Sequence, residues 1–144
     1  MRACFYYLMK NPEIYKQVQA EVDAATLSSP VRYTEAAKLP LLCATIKEAM
    51  RLHPSVGYNM GRIAPAGGLM VSGTHIPAGW WVGMNAAVVG YDEDVYGPDA
   101  SSFRPARWLE GDAARMERTM LVFGAGTRTC IGKNVSVFPR VDPH

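Results

Sequence analysis

Apolar residues recur at helical spacing early in the chain: Ile14, Val18, Val22 and Ala25 fall on one face of a segment that Asn11, Pro12 and Glu13 introduce. Asn11 is the expected N-cap. Pro12 is the first helical residue, where a missing N–H costs nothing, and Glu13 faces the positive end of the helix dipole. After a Ser-Ser-Pro loop, Thr34 is expected to cap a short turn, and Pro40 opens a second helix that runs through Leu52 until Pro54 stops it. Between Tyr58 and Met84 short apolar runs are broken by Gly and Pro, as in Leu69-Met70-Val71, Ser72-Gly73, Thr74-His75-Ile76 and Pro77-Ala78-Gly79, which predicts hairpins. From Asn85 to Met120 no period is sustained, and Pro98 and Pro105 interrupt the chain, so a long, mostly irregular segment with short helical turns is expected. Helices to about residue 54, a small sheet from about 58 to 84 and this irregular segment together predict an α+β, mainly helical fold.

The 144 residues, 49% hydrophobic and 19% charged, suit one domain with its own core and show no bias towards disorder. A net charge of +2 without a basic stripe interleaved with aromatics argues against a nucleic-acid partner. Cys4, Cys43 and Cys130 are odd in number and far apart, which argues against a disulfide framework and for a reducing compartment. Cys4 and Cys43 lie in apolar helical stretches and read as inert core. No signal segment opens the chain, and the longest largely apolar stretch, Trp80 to Tyr91, is too short and interrupted to span a bilayer, so no membrane anchor is expected within the sequence.

The candidate chemistry sits near the end, in Phe123-Gly124-Ala125-Gly126-Thr127-Arg128-Thr129-Cys130-Ile131-Gly132. With Phe123, Gly124, Gly126, Arg128, Cys130 and Gly132 taken as fixed, coincidence has a chance on the order of 10⁻⁸ per start position. The glycines remove side chains where backbone must approach a flat partner. A helix starting just after Cys130 would aim its positive dipole end at the sulfur and favour thiolate, the form that ligates metal. Taken alone, the cysteine would read as a buried structural residue beside a glycine-rich turn. Glu48 and Arg51, three apart on the second helix, can meet on one face, and as an exposed pair would contribute only about 0.2–0.5 kcal/mol. His53 and His75 lack metal-ligand spacing.

Three motifs occur in order: Glu48-Ala49-Met50-Arg51-Leu52-His53-Pro54, Phe103-Arg104-Pro105-Ala106-Arg107-Trp108, and the cysteine loop. In that order they resemble the haem-thiolate enzymes of the cytochrome P450 family, and Cys130-Ile131-Gly132-Lys133-Asn134 is similar in wording to fungal, pisatin-demethylase-like members. The resemblance implies that Cys130 is the axial ligand to the iron of haem b, and that Glu48, Arg51 and Arg107 form a buried structural triad. It also implies that Arg128 and Arg62 meet haem propionates and that Phe123 packs against the porphyrin or the loop. Ala106 replaces a glutamate frequent in the family. An axial thiolate favours O–O cleavage, so the implied reaction is monooxygenation of a small organic substrate. Electrons would come from NADPH through NADPH-cytochrome P450 reductase or a similar donor. The resemblance assigns no location to this stretch itself; fungal members are usually held in the endoplasmic reticulum membrane by an N-terminal anchor, expected to lie outside this sequence, with the catalytic part facing the cytosol.

Family members are several times longer, so residues 1–144 are expected to form a partial domain, the C-terminal, haem-binding part. The helix with the acid–alcohol pair and most substrate-recognition segments would precede Met1. After Cys130 the family continues with a long helix, which Gly132 to Ser136 begins and the tail 137–144 does not continue, since Pro139 inside a helix costs about 3 kcal/mol. A truncated or misread gene is the expected explanation of that tail. A non-catalytic haem-binding remnant, or a haem-thiolate isomerase or dehydratase, would share the same loop.

Overall fold

Two prolines set the starts of the two longest helices in this computed structural model, which describes residues 2–133. Helix α1 (Arg2–Lys10) leads into α2 (Pro12–Ala24), and α4 (Pro40–Leu52) begins at the second proline, as expected. Asn11 does not cap α2. Its side-chain Nδ2 donates to the Tyr7 carbonyl, 2.7 Å away, so it closes α1 rather than opening α2. Nor does Thr34 cap the short α3 (Tyr33–Ala36); it lies inside that helix, and the Glu35 carboxylate fixes the turn by accepting from the Ser28 and Arg32 N–H groups. Helix α4 has no cap of its own either. Glu21 of α2 supplies one, its carboxylate accepting from the N–H groups of Leu41 and Leu42 at 2.9 and 2.8 Å, where the helix dipole favours negative charge.

Two two-stranded antiparallel sheets replace the single sheet expected. Strand β1 (Asn59–Ile63) pairs with β4 (Trp81–Asn85), with Gly61 opposite Gly83 and Arg62 opposite Val82, while β2 (Leu69–Val71) and β3 (Thr74–Ile76) form the hairpin between them. Gly61 is needed for close approach: a Cβ there would lie 2.5 Å from the Trp81 indole. Beyond β4 come the short helices α5 (Ala86–Val89), α6 (Glu93–Tyr96), α7 (Arg107–Glu110) and α8 (Ala113–Thr119). The side chains of Asn85, Asp92 and Asp112 cap α5, α6 and α8. Cys4 and Cys43 are half-buried rather than core, and burial raises both thiols above the ordinary value, which keeps them protonated and unreactive. No helix among the described residues is long and apolar enough to cross a membrane.

The irregular segment is held against α4 by ionic contacts over a small core of Ala44, Tyr96, Ala100, Trp108 and Met116. Glu48 and Arg51 are 0% exposed and Arg107 2%. The Glu48 carboxylate accepts from Arg51 Nη2 (2.8 Å), Arg51 Nε (2.9 Å), Arg107 Nε (2.9 Å), the Arg104 N–H (3.0 Å) and Trp108 Nε1 (2.8 Å). Burial is the strongest single influence on Glu48 and raises its pKa, yet these donors together outweigh it and the net shift is downward. Arg51 also donates to the carbonyls of Gly90, Ala100 and Ser102, and lies over the Tyr96 ring, 4.9 Å from its centroid. Arg107 donates to the carbonyls of Tyr96, Asp99 and Ser102 and to the Asp99 carboxylate, which also takes Arg104, and Arg104 reaches Glu110. Three arginines therefore face three carboxylates, and the network is formally neutral from its dry centre at Glu48 to its wet edge at Glu110.

Removing one partner from such a cluster strands charge. Glu48→Ala, Arg51→Ala and Arg107→Ala are each expected to lower unfolding free energy by about 3–5 kcal/mol, and Trp108→Phe, which deletes only the indole donor, by about 1–3 kcal/mol. Chemical denaturation should show paired substitutions far from additive; independent losses of a few tenths would mean a surface-like pair.

Hydrogen bonds from Arg104 and Arg107 lower Asp99 from an ordinary 3.8 to about 2, so the folded state favours its ionised form. That contribution is complete above about pH 4 and is lost as pH falls towards about 2. In acid titration of thermal stability, Asp99→Asn should flatten the slope within that window and leave the slope near neutrality unchanged.

Candidate functional site

The cysteine loop closes on itself by backbone bonds. Gly124 N–H donates to Leu121, Thr129 N–H to Gly126 and Cys130 N–H to Phe123, at 2.9, 3.0 and 2.8 Å, and the Thr129 hydroxyl adds a second bond to the Gly126 carbonyl at 2.7 Å. A single 3₁₀ turn, Gly126–Arg128, forms the bend. Gly124 and Gly126 take φ of +70° and +63°, the left-handed region that side chains oppose, so the two glycines are required by the path of the loop. A Cβ at Gly126 would meet nothing within 4 Å, and the backbone there forms bare surface.

Phe123 and Gly132 are half-buried, whereas residues 125–131 are exposed. Cys130 is among them, so it is not the buried structural cysteine that a lone thiol would suggest. Arg128 is exposed and makes no hydrogen bond or ion pair among the described residues, which leaves its guanidinium available for a carboxylate. Arg62, exposed on β1, donates from Nη2 to the Ala125 carbonyl at 2.8 Å and so joins the sheet to the loop. The structure thus brings Arg62, Phe123, Gly124, Gly126, Arg128, Cys130 and Gly132 into one region and Glu48, Arg51 and Arg107 into another. The helix expected after Cys130 shows only its first turn, Lys133 N–H to the Cys130 carbonyl at 3.2 Å. From Asn134 onward, the tail 137–144 included, that expectation lies outside the described residues.

An accessible soft sulfur, bare glycine backbone in the same loop and a guanidinium with no partner among the described residues fit the haem that the resemblance implies. Among the described residues no three His, Cys, Asp or Glu side chains converge as a chelating site. Sequence reasoning missed Asp99, which neutralises the second arginine, and gave no role to Trp108, whose indole reaches Glu48. Trp108 follows Arg107 directly and an indole N–H needs a buried partner, a signal that was present. Asp99 carries no comparable mark.

A sequence profile described as Cytochrome P450 matches residues 1–137. Cytochrome P450 monooxygenase gsfF of Penicillium aethiopicum is 54% identical over 142 residues, covering 95% of this chain and 28% of that protein. Cytochrome P450 monooxygenase ACRTS1 of Alternaria alternata is 51% identical over 142 residues, covering 94% and 38%, and pisatin demethylase of Fusarium vanettenii is 39% identical over 137 residues, covering 95% and 27%. The chain thus spans between 27% and 38% of the length of these curated relatives. The fold is shared with the crystal structure of the haem domain of a cytochrome P450DA mutant, with TM-score 0.80 at 21% identity over 94% of this chain and 31% of that one. Motif order, a fold laid out around α4, and relatives above half identity across nearly the whole sequence converge on one assignment: the chain belongs to the cytochrome P450 family.

Proposed function

We propose that the chain forms the cysteine-bearing part of a haem-thiolate monooxygenase site, with Cys130 as the sole protein ligand to the iron of haem b. The observation that carries this reading is the exposed Cys130 thiol on a loop bared by Gly124 and Gly126. When bound, the haem supplies the redox chemistry by which one atom of dioxygen enters a small organic substrate, the electrons coming from NADPH through a cytochrome P450 reductase or similar donor. The part of this chain is to hold and orient. Cys130 offers the sulfur, which must lose its proton to ligate metal. Arg128, without a partner among the described residues, offers a planar fork to a propionate, and Arg62 has N–H groups to spare beyond the one given to Ala125. Phe123, half-buried and bonded through its carbonyl to the Cys130 N–H, supplies an apolar side chain to the loop. Glu48, Arg51 and Arg107 touch none of the reacting atoms; they fix the segment that delivers the loop.

Carbon monoxide difference spectra of the reduced, haem-loaded chain test the ligand. Cys130→Ala should abolish the thiolate-type Soret band, while Cys4→Ala and Cys43→Ala should leave it in place. An unchanged band in the Cys130 variant would overturn the assignment.

Oxygen insertion needs a water-excluding pocket and a wall that places substrate near the iron. In the described residues Cys130 and its neighbours through Ile131 face solvent. The 144-residue chain supplied with haem, NADPH and a reductase is therefore expected to give no oxygenated product. Substrate-dependent NADPH consumption with stoichiometric product, lost in Cys130→Ala, would contradict this.

A further inference from the structure

Arg62 stands where the family resemblance implies a propionate partner, yet its guanidinium is already engaged with the protein itself. Nη2 donates to the Ala125 carbonyl at 2.8 Å, at the start of the 3₁₀ turn Gly126–Arg128. Ala125 is extended, with φ −147° and ψ 158°, and lies between the two left-handed glycines 124 and 126. Two glycines flanking one residue give the unfolded loop unusual freedom, so ordering it costs more entropy than an average tripeptide. The internal bonds from Cys130 to Phe123 and from Thr129 to Gly126 close the loop without tying it to anything else.

The tie comes from β1. Residues 60 and 62 share one face of that strand, and both reach the loop: the Met60 sulfur lies 3.9 Å from where a Gly124 Cβ would sit, and Arg62 bonds the next residue along. Successive same-face positions of a paired strand thus meet successive loop residues. An arginine has five N–H donors in a fixed fork, so one bond to a carbonyl leaves others for a carboxylate. The two uses do not compete.

We propose that Arg62 is a positioning residue for Cys130, holding the loop through the Ala125 carbonyl before any haem arrives and independently of the propionates. The inference rests on reading the loop as a haem-thiolate site only for its affinity arm; the loop arm stands without it. Hydrogen exchange of the haem-free 144-residue chain is the first readout. Arg62→Ala should speed exchange at the amides of Gly124, Thr129 and Cys130 while leaving those of α4 unchanged, and Arg62→Lys, which keeps a charged donor, should restore part of the protection. The second readout is binding of haem and of haem dimethyl ester, whose esterified propionates cannot pair with arginine. Arg62→Ala should weaken binding of the dimethyl ester by about threefold to tenfold, the part owed to the loop tie, and binding of free-acid haem by at least that factor. Unchanged loop exchange in Arg62→Ala, or an affinity loss confined to the free-acid haem, would overturn the proposal. If no variant and no wild-type chain bound either haem, the cofactor reading would fall while the exchange result still decided the loop tie.

Discussion

A carboxylate with no access to water organises this molecule. An isolated charge buried that completely would cost far more than the whole stability of a domain, typically about 5–15 kcal/mol. Glu48 is tolerated because five donors from three stretches of chain reach it: Arg51 on its own helix, the Arg104 backbone, and Arg107 and Trp108 at the start of α7. None of the three stretches satisfies it alone. The arginines that serve it would in turn be unbalanced, and Asp99 at the partly exposed edge supplies the second negative charge. Charge is cancelled step by step from the dry interior outward.

That arrangement gives an irregular stretch a fixed place without regular secondary structure. Carbonyls of Gly90, Tyr96, Asp99, Ala100 and Ser102, which a helix or sheet would have used internally, are taken by two guanidiniums instead. The cysteine loop follows this stretch directly through α8, and its other contact, β1, follows α4 after residues 53–58. Both approaches to Cys130 are therefore referenced to the same helix, one through the ionic network and one through the strand that carries Arg62.

Helix starts set by Pro12 and Pro40 were legible in the sequence because a fixed φ acts locally, and so was the β2–β3 hairpin at Ser72-Gly73. Capping was less legible. Asn11 has the right side chain for an N-cap, but the preceding helix offered it a carbonyl, and no local rule weighs one against the other. The pairing of β1 with β4 rather than with the hairpin strands is a tertiary choice, and a single small sheet was the simpler expectation. At the site, spacing placed Glu48 and Arg51 on one face, yet their burial depended on chain more than fifty residues away. Exposure of Cys130 was likewise invisible, since loop composition does not reveal which side meets solvent.

Glu21 carries a consequence for the order of events in folding. The first turn of α4 finds the carboxylate that satisfies its N–H groups twenty residues back in the chain, on α2. A helix whose nucleus must be stabilised from outside does not propagate well by itself, because the first turn is the costly one. Docking of α2 and the growth of α4 should therefore be one cooperative event, closed by a contact of short sequence separation that forms early and quickly. The segment 12–52 then behaves as a seed: it presents Glu48 and Arg51 in register before the slower, long-range chain that must find them has condensed.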